Sequence, residues 1–349
     1  FFKLDYVNNE NYRIGRNKLM TIITSCGCPY NCDFCSTRFH LPKFIKKDIG
    51  LVKEELRYNI DKFKITALNI EDENFTFDKA RALELLNFIS VEFPELRLYF
   101  MNGLHYLHLD DDLLQSLKKA GLYNLNLSIG NLNINQNDKL STSRFCNLEK
   151  LENIVNLSKK MNLYTTIYFI IGHPDDTINS IFEMLKFLCS LKVNICPSIY
   201  YYLPGLNTNN LDKFINKNIN FEQMRMTAAA IETPNFKRLD LITFFRLIRI
   251  KNILQEQDFF LNEYYHNNDA EIKEIIKKIK ANDFLLFTDK KLDTAMLLAI
   301  CIKYLIENKR LISVTYNKTK NNQFIYKFYE CKQNFEIVNW FIENILFTS

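Results

Sequence analysis

Glycine is scarce in this chain. Its 349 residues include 8 glycines, where average usage of roughly 7% would give about 24. Abundant Asn, Lys and Ile point to a compositional bias that removes glycine wherever it is dispensable. The survivors therefore mark positions where the backbone requires it. Long apolar runs are missing as well. The longest, MLLAICIKYLI at 296–306, is too short to cross a bilayer and carries Lys303. No block of like charge accompanies the net charge of +5, so a nucleic-acid partner is not indicated. No signal peptide, internal repeat or low-complexity linker is visible. The chain opens on Phe1 instead of Met and reads as a fragment whose upstream part is missing.

What is present is ordinary for a soluble globular protein. The 47% hydrophobic and 24% charged residues can fill one large domain, or a large one with a small companion. Nine cysteines are an odd number, and their spacings do not form a disulfide framework. Tightly clustered thiols of this kind belong in a reducing compartment, so a cytoplasmic location is expected. Cys146, Cys189, Cys196, Cys301 and Cys331 lie far apart and read as small buried hydrophobes.

From residue 20 short apolar runs alternate with amphipathic stretches. Strands are expected at 20–24, 65–70, 96–101, 122–129, 163–172 and 193–205. Helices are expected at 47–60, 78–93, 110–121, 148–162 and 175–192, with Asp110 as a cap and Gly121 as a stop. Continuous apolar strands separated by helices indicate parallel pairing under a helical layer. Six units fall short of the eight of a closed barrel, so the expected fold is α/β, a partial TIM-like (β/α)6 barrel. Beyond residue 206 the alternation ends. Helices are expected at 239–257, 270–280 and 292–308, a β-hairpin at 311–330 and a final amphipathic helix. This mostly helical C-terminal region reads as a packing domain on the open side of the barrel. The resulting division is a lead-in at 1–19, the barrel at 20–210 and an accessory region at 211–349.

The chemistry concentrates in TIITSCGCPYNCDFCST, residues 21–37, directly after the first strand. Cys28, Cys32 and Cys35 are spaced Cys-x3-Cys-x2-Cys, with Cys26 just ahead. Thiolates hold iron–sulfur cubanes, normally four to a cluster, and three would leave one iron open to an exogenous ligand. Pro29 can stiffen the loop, and Phe34 can pack beside the cluster. The alternative is a structural Cys3His zinc site with His40 as the fourth ligand. It is disfavoured because zinc ligands usually come as two separated pairs.

CGCPYNCDFC resembles the signature of the radical S-adenosylmethionine (SAM) superfamily, and the likeness extends over roughly 15–210. Its wording is most similar to the branch often preceded by a cobalamin-binding domain. The resemblance implies a [4Fe-4S] cluster on the three cysteines and SAM on the fourth iron. Reductive cleavage of SAM would then give a 5′-deoxyadenosyl radical that takes hydrogen from the substrate. In NIEDENFTFD, Asp72, Glu73 or Asn74 would lie near the SAM amino group, where a carboxylate can accept from an ammonium.

The fourth strand of that family ends on an acid that serves the ribose. Here it ends LSIGN, with Gly130 at that position and Ser128 or Asn131 as replacements. Arg144 aligns with a basic residue that meets the SAM carboxylate. YFIIGHPDDTINS resembles the turn that packs on adenine, with Gly172 allowing close approach and Pro174 shaping the turn. Asp176 or Thr177 would cap the next helix. YYYLPGLN resembles the sixth-strand ending, where Tyr200 and Tyr202 are weak candidates for touching substrate.

No residue is singled out as catalytic. The expected substrate is a small molecule or peptide, and the expected electron donor a flavodoxin or ferredoxin. A methyltransferase whose cobalamin domain lies outside this chain is the first expectation. A cobalamin-free epimerase or cyclase and a tRNA-modifying enzyme are enzyme alternatives. A degenerate barrel that merely binds the cluster is the non-enzyme alternative.

Overall fold

The computed structural model describes residues 13–30, 32, 34–130, 147–201, 222, 225–256, 258–281, 284–288, 291–318 and 323–346. The chain divides into two compact units, Phe1–Ile231 and Glu232–Ser349.

In the first unit the short β1 (Arg13–Ile14) turns into β2 (Asn17–Ile22), and β3 (Ser25–Cys26) opens the cysteine loop. The loop continues through a single helical turn, α1 (Thr37–His40), and returns on β4 (Ile45–Lys46), which pairs antiparallel with β3. The chain then alternates as the periodicity predicts. α2 (Ile49–Phe63), β5 (Ala67–Ile70), α3 (Lys79–Glu92), β6 (Arg97–Tyr99) and a short β7 (Leu104–His105) follow. Next come α4 (Asp111–Lys119), β8 (Leu125–Gly130), α5 (Leu148–Lys160), β9 (Thr165–Ile171), α6 (Ile178–Ser190) and β10 (Asn194–Ile199).

Five of these helices begin on a side chain that accepts a backbone N–H: Asp48, Asp78, Asp110, Asn147 and Thr177. Each cap satisfies a donor that the first turn leaves unpaired. Asp110 serves as the sequence predicts. At α6 the cap is Thr177, in a capping box with Ser180.

The strands form two sheets ordered β1-β2-β5-β6 and β10-β9-β8-β7. All pairs in them are parallel except β1 with β2. The sheets meet where Leu98 bridges Leu122. Leu98 N donates to Gly121 O at 2.8 Å and Tyr123 N donates to Leu98 O at 3.0 Å. Leu56, Leu68, Leu85, Leu98, Leu127 and Ile167 are completely buried and anchor the core.

Along β8, β9 and β10 the two faces differ. Thr165 faces α5, where its hydroxyl meets that of Ser158 at 2.9 Å, and Ile167, Phe169 and Ile171 share its face, fully buried. On the other face the register aligns Asn126, Thr166 and Asn194 in one row and Ser128, Tyr168 and Cys196 in the next. That face is polar, uncharged and largely half-exposed.

The second unit contains α7 (Arg238–Glu256), α8 (Asp258–Ala281), β11 (Leu285–Thr288) and α9 (Thr294–Asn308). β12 (Ile312–Lys318), β13 (Phe324–Glu330) and α10 (Phe335–Phe341) complete it. The expected hairpin forms from β12 and β13, and β11 adds a third antiparallel strand in the order β11-β13-β12. LLFT is too short a run to separate from helix by periodicity, so its pairing emerges from tertiary contact. Its core gathers Ile272, Ile276, Ile279, Tyr304, Tyr326 and Phe328. Among the described residues no helix is long and apolar enough to cross a membrane.

Candidate active site

The cysteine loop leaves the C-terminal end of β2, the end at which parallel α/β sheets bind ligands. Three consecutive residues after β5 organise it. Asp72, 4% exposed, accepts from Thr24 N, Thr24 Oγ1 and Ser25 Oγ, each at 2.6 Å. Its carboxylate is thereby committed to the loop entrance. Glu73 Oε2 accepts from Gly27 N at 3.0 Å. Asn74 Nδ2 lies 3.7 Å from Cys28 Sγ as a donor. Asn74 Oδ1 and the neighbouring Thr76 Oγ1 are buried with no hydrogen-bond partner among the described residues. A buried acceptor without a donor is costly, on the order of 1–3 kcal/mol, so this corner fits a ligand that brings N–H groups.

Gly27 explains why glycine survives in the loop. Its φ is +83°, and a Cβ there would sit 2.2 Å from Lys43 O and 2.9 Å from Leu41 O. The loop and the segment leading into β4 touch backbone to backbone at this point. Cys26, in the β3–β4 ladder, is half-buried. Burial pushes its thiol up, and the nearby Glu73 and Asp72 charges act in the same direction against Lys47.

Cys32 is buried, while Cys28 and Cys35 are half-buried. Cys35 N donates to Cys32 O at 3.2 Å, and Cys35 Sγ lies 3.3 Å from Thr37 Oγ1. Among the described residues no three His, Cys, Asp or Glu side chains are gathered closely enough to hold a metal ion. His40, the candidate zinc ligand, is exposed at the end of α1.

Two aromatic residues of the loop reach opposite parts of the sheet ends. Phe34 packs against Tyr200 and Ile231 together with Ile170. Tyr200 is 3% exposed and meets His173 edge-on at 5.1 Å, so it is a core residue in this structure. Tyr30 stacks on His105 and hydrogen-bonds His108.

At the ends of β8 and β9 the backbone is bent in two ways. The β8–β9 register shifts between Ser128 and Gly130, and Gly130 has φ +69°. This left-handed bulge suits glycine and disfavours the acid found there in relatives of the motif. Ser128 lies against Gly103. After β9, Asp176 Oδ2 accepts from Gly172 N at 2.8 Å and His173 N at 2.9 Å. That pair of bonds shapes the buried turn containing Pro174. Asn131, Arg144 and Tyr202 lie outside the described residues.

The structure therefore joins Asp72, Glu73 and Asn74 to the cysteine loop, and Phe34 to Tyr200. Sequence reasoning passed over Tyr30, His105, His108 and His173. A signal existed: the chain has 5 histidines, and two of them fall in HYLH at 105–108 beside a strand end.

Residues 22–188 match the family described as the radical SAM superfamily. A cytidylyl-2-hydroxyethylphosphonate methyltransferase of Streptomyces wedmorensis is 26% identical over 166 residues, covering 47% of this chain and 30% of that protein. An uncharacterized methyltransferase of Pyrococcus horikoshii is 23% identical over 191 residues, covering 54% and 41%. The chain thus spans less than half the length of these curated relatives. Among solved structures, the radical SAM methyltransferase TsrM of Kitasatospora setae, with cobalamin and a [4Fe-4S] cluster bound, superposes with a TM-score of 0.48 at 19% identity. That superposition covers 54% of this chain and 38% of TsrM. The matched residues 22–188, a little under half of the chain, hold the cysteine loop at the exit of β2, and over that span the chain is similar to the radical SAM superfamily.

Proposed function

We propose that this chain is the catalytic part of a radical SAM methyltransferase acting on a small molecule or peptide. In this reading Cys28, Cys32 and Cys35 hold a [4Fe-4S] cluster, and SAM completes the fourth iron. Cluster and SAM together supply one-electron cleavage of a carbon–sulfur bond, and with it hydrogen abstraction from the substrate. The observation that carries the reading is the buried, unsatisfied Asn74 Oδ1 beside Cys28. An ammonium such as that of SAM is the donor it lacks.

The remaining residues divide the work. Asp72 and Glu73 fix the loop entrance through Thr24, Ser25 and Gly27. Phe34 and the Gly172–Pro174 turn offer surfaces for adenine. Ser128 and Asn131 are assigned the ribose in place of the acid that Gly130 excludes, and Arg144 the SAM carboxylate. Cys26 is left out of the ligand set because it belongs to the β3–β4 ladder. We read β2, β5, β6, β8, β9 and β10 as a partial barrel within 20–210, led in by 1–19, with 211–349 as an accessory region. Its uncharged polar inner face suits a neutral polar substrate, with Tyr202 kept as a candidate to touch it and Tyr200 as packing.

The curated relatives are named as methyltransferases, which supports methyl transfer. The branch resembled by GCPYNCDFC implies a cobalamin held outside this chain. A cytoplasmic location and a flavodoxin or ferredoxin donor fit thiols that must stay reduced. Anaerobic reconstitution with iron, sulfide, SAM and dithionite is the test. About four iron atoms per chain and formation of 5′-deoxyadenosine are expected. Cys28→Ala, Cys32→Ala and Cys35→Ala should each abolish both, and Cys26→Ala should keep the iron. Equal loss of iron from Cys26→Ala would overturn the ligand assignment, and absence of 5′-deoxyadenosine the activity. Methyl transfer that depends on added cobalamin would select the methyltransferase.

A further inference from the structure

Tyr30 stands midway between Cys28 and Cys32, and its contacts tie that span to the end of β7. Its hydroxyl is 2.6 Å from His108 Nε2. Its ring lies 5.0 Å from the His105 ring and 5.7 Å from the His108 ring, at 26° to each. The two imidazoles are themselves stacked, 4.6 Å apart at 15°. Phe77 closes the group edge-on at 6.4 Å from Tyr30, and Phe44 packs on Phe77 at 5.1 Å. His105 is 4% exposed and held in register with Ser128 of β8, and His108 follows on the helical turn Tyr106–His108, so the platform under Tyr30 is anchored at the sheet end. A loop of three thiolates needs such a platform. A cluster ligand must be held to within a fraction of an ångström.

We propose that Tyr30, docked on the His105–His108 stack, is a positioning residue that fixes the Cys28–Cys32 span and sets how firmly the iron–sulfur cluster is retained. This rests on the reading of Cys28 and Cys32 as ligands. The hydrogen bond orients the Tyr30 ring and the stack restrains it, so the two contributions separate by substitution.

The test uses the full chain, reconstituted anaerobically, and follows iron release to a chelator together with the electron paramagnetic resonance spectrum of the reduced cluster. Tyr30→Phe keeps the stack and loses one hydrogen bond, so release should quicken about fivefold. Tyr30→Ala loses both contacts and should release iron at least about thirtyfold faster. His108→Ala should resemble Tyr30→Phe or exceed it, whereas His108→Gln, whose amide can still meet the hydroxyl, should restore most of the retention. Melting of the apo forms of Tyr30→Phe and His108→Gln should stay close to that of the parent. If Tyr30→Ala and His108→Ala hold iron as long as the parent with the same spectrum, the inference is wrong while the cluster reading stands. If the parent itself takes up no iron, both fall together.

Discussion

At the scale of single residues, Gly27 shows how one missing side chain shapes the site. The Lys43 carbonyl occupies the space a Cβ would need, 2.2 Å away, and φ is +83°. Gly27→Ala must therefore move the backbone of two segments at once. A loss of about 3 kcal/mol or more is expected in chemical denaturation of the apo protein, from left-handed strain plus displaced packing. Iron uptake should fall with it, because the Gly27 N–H would leave Glu73. A loss below about 1 kcal/mol would mean that the loop yields freely and that Glu73 does not fix it.

At the scale of elements, the helix starts decide how the loops above the sheet are held. Asp78 caps α3 by accepting from Arg81 N at 3.1 Å and pairs with Lys46 of β4 at 2.8 Å. One carboxylate thus joins the helix to the ladder that carries Cys26. The Lys46 ammonium first, and then the Arg81 N–H, hold the Asp78 carboxyl below its usual range. A depressed folded-state value adds stability that is complete above the unfolded value, about 3.9, and disappears as pH falls through the folded one. Asp78→Ala should therefore cost about 1 kcal/mol near neutrality. The difference from the parent should shrink steadily below about pH 4. A difference that persists unchanged in strong acid would show that the carboxylate contributes only by packing.

At the scale of the whole molecule, two units each have a core of their own. Leu85 is completely buried in the first, and Phe328 is 1% exposed in the second. Truncating either to alanine should cost about 2–5 kcal/mol. Scanning calorimetry of the apo chain is expected to show two transitions, since separate cores unfold separately. Leu85→Ala should lower one transition and Phe328→Ala the other. A single transition shifted equally by both variants would refute independent melting. The second unit also protects its own thiol: burial, then the neighbouring Cys331, pushes Cys301 up to about 12. The buried-hydrophobe reading of the scattered cysteines fits Cys301 but fails at Cys196, which is exposed on β10, while Cys189 and Cys331 are half-buried and Cys146 lies outside the described residues.

The sequence by itself determined what depends on neighbours within a few residues. The caps at Asp78 and Asp110, the apolar runs of the strands and the Cys-x3-Cys-x2-Cys spacing all lie within one turn or one loop. Their physics is local. The tertiary structure decided everything that joins distant segments. It assigned Asp72 to Thr24 across 48 residues, Glu73 to Gly27 across 46 and Tyr30 to His108 across 78. In the sequence, Asp72, Glu73 and Asn74 are three equivalent candidates for one ligand. Burial separates them, because a carboxylate already accepting three hydrogen bonds has little capacity left, while the Asn74 carbonyl accepts none among the described residues. Likewise Gly130 read only as a missing acid until the β8–β9 bulge gave it a positive φ. Pairing of this kind depends on which strands become neighbours, and that is fixed by the collapse of the whole sheet, not by any stretch of the chain alone.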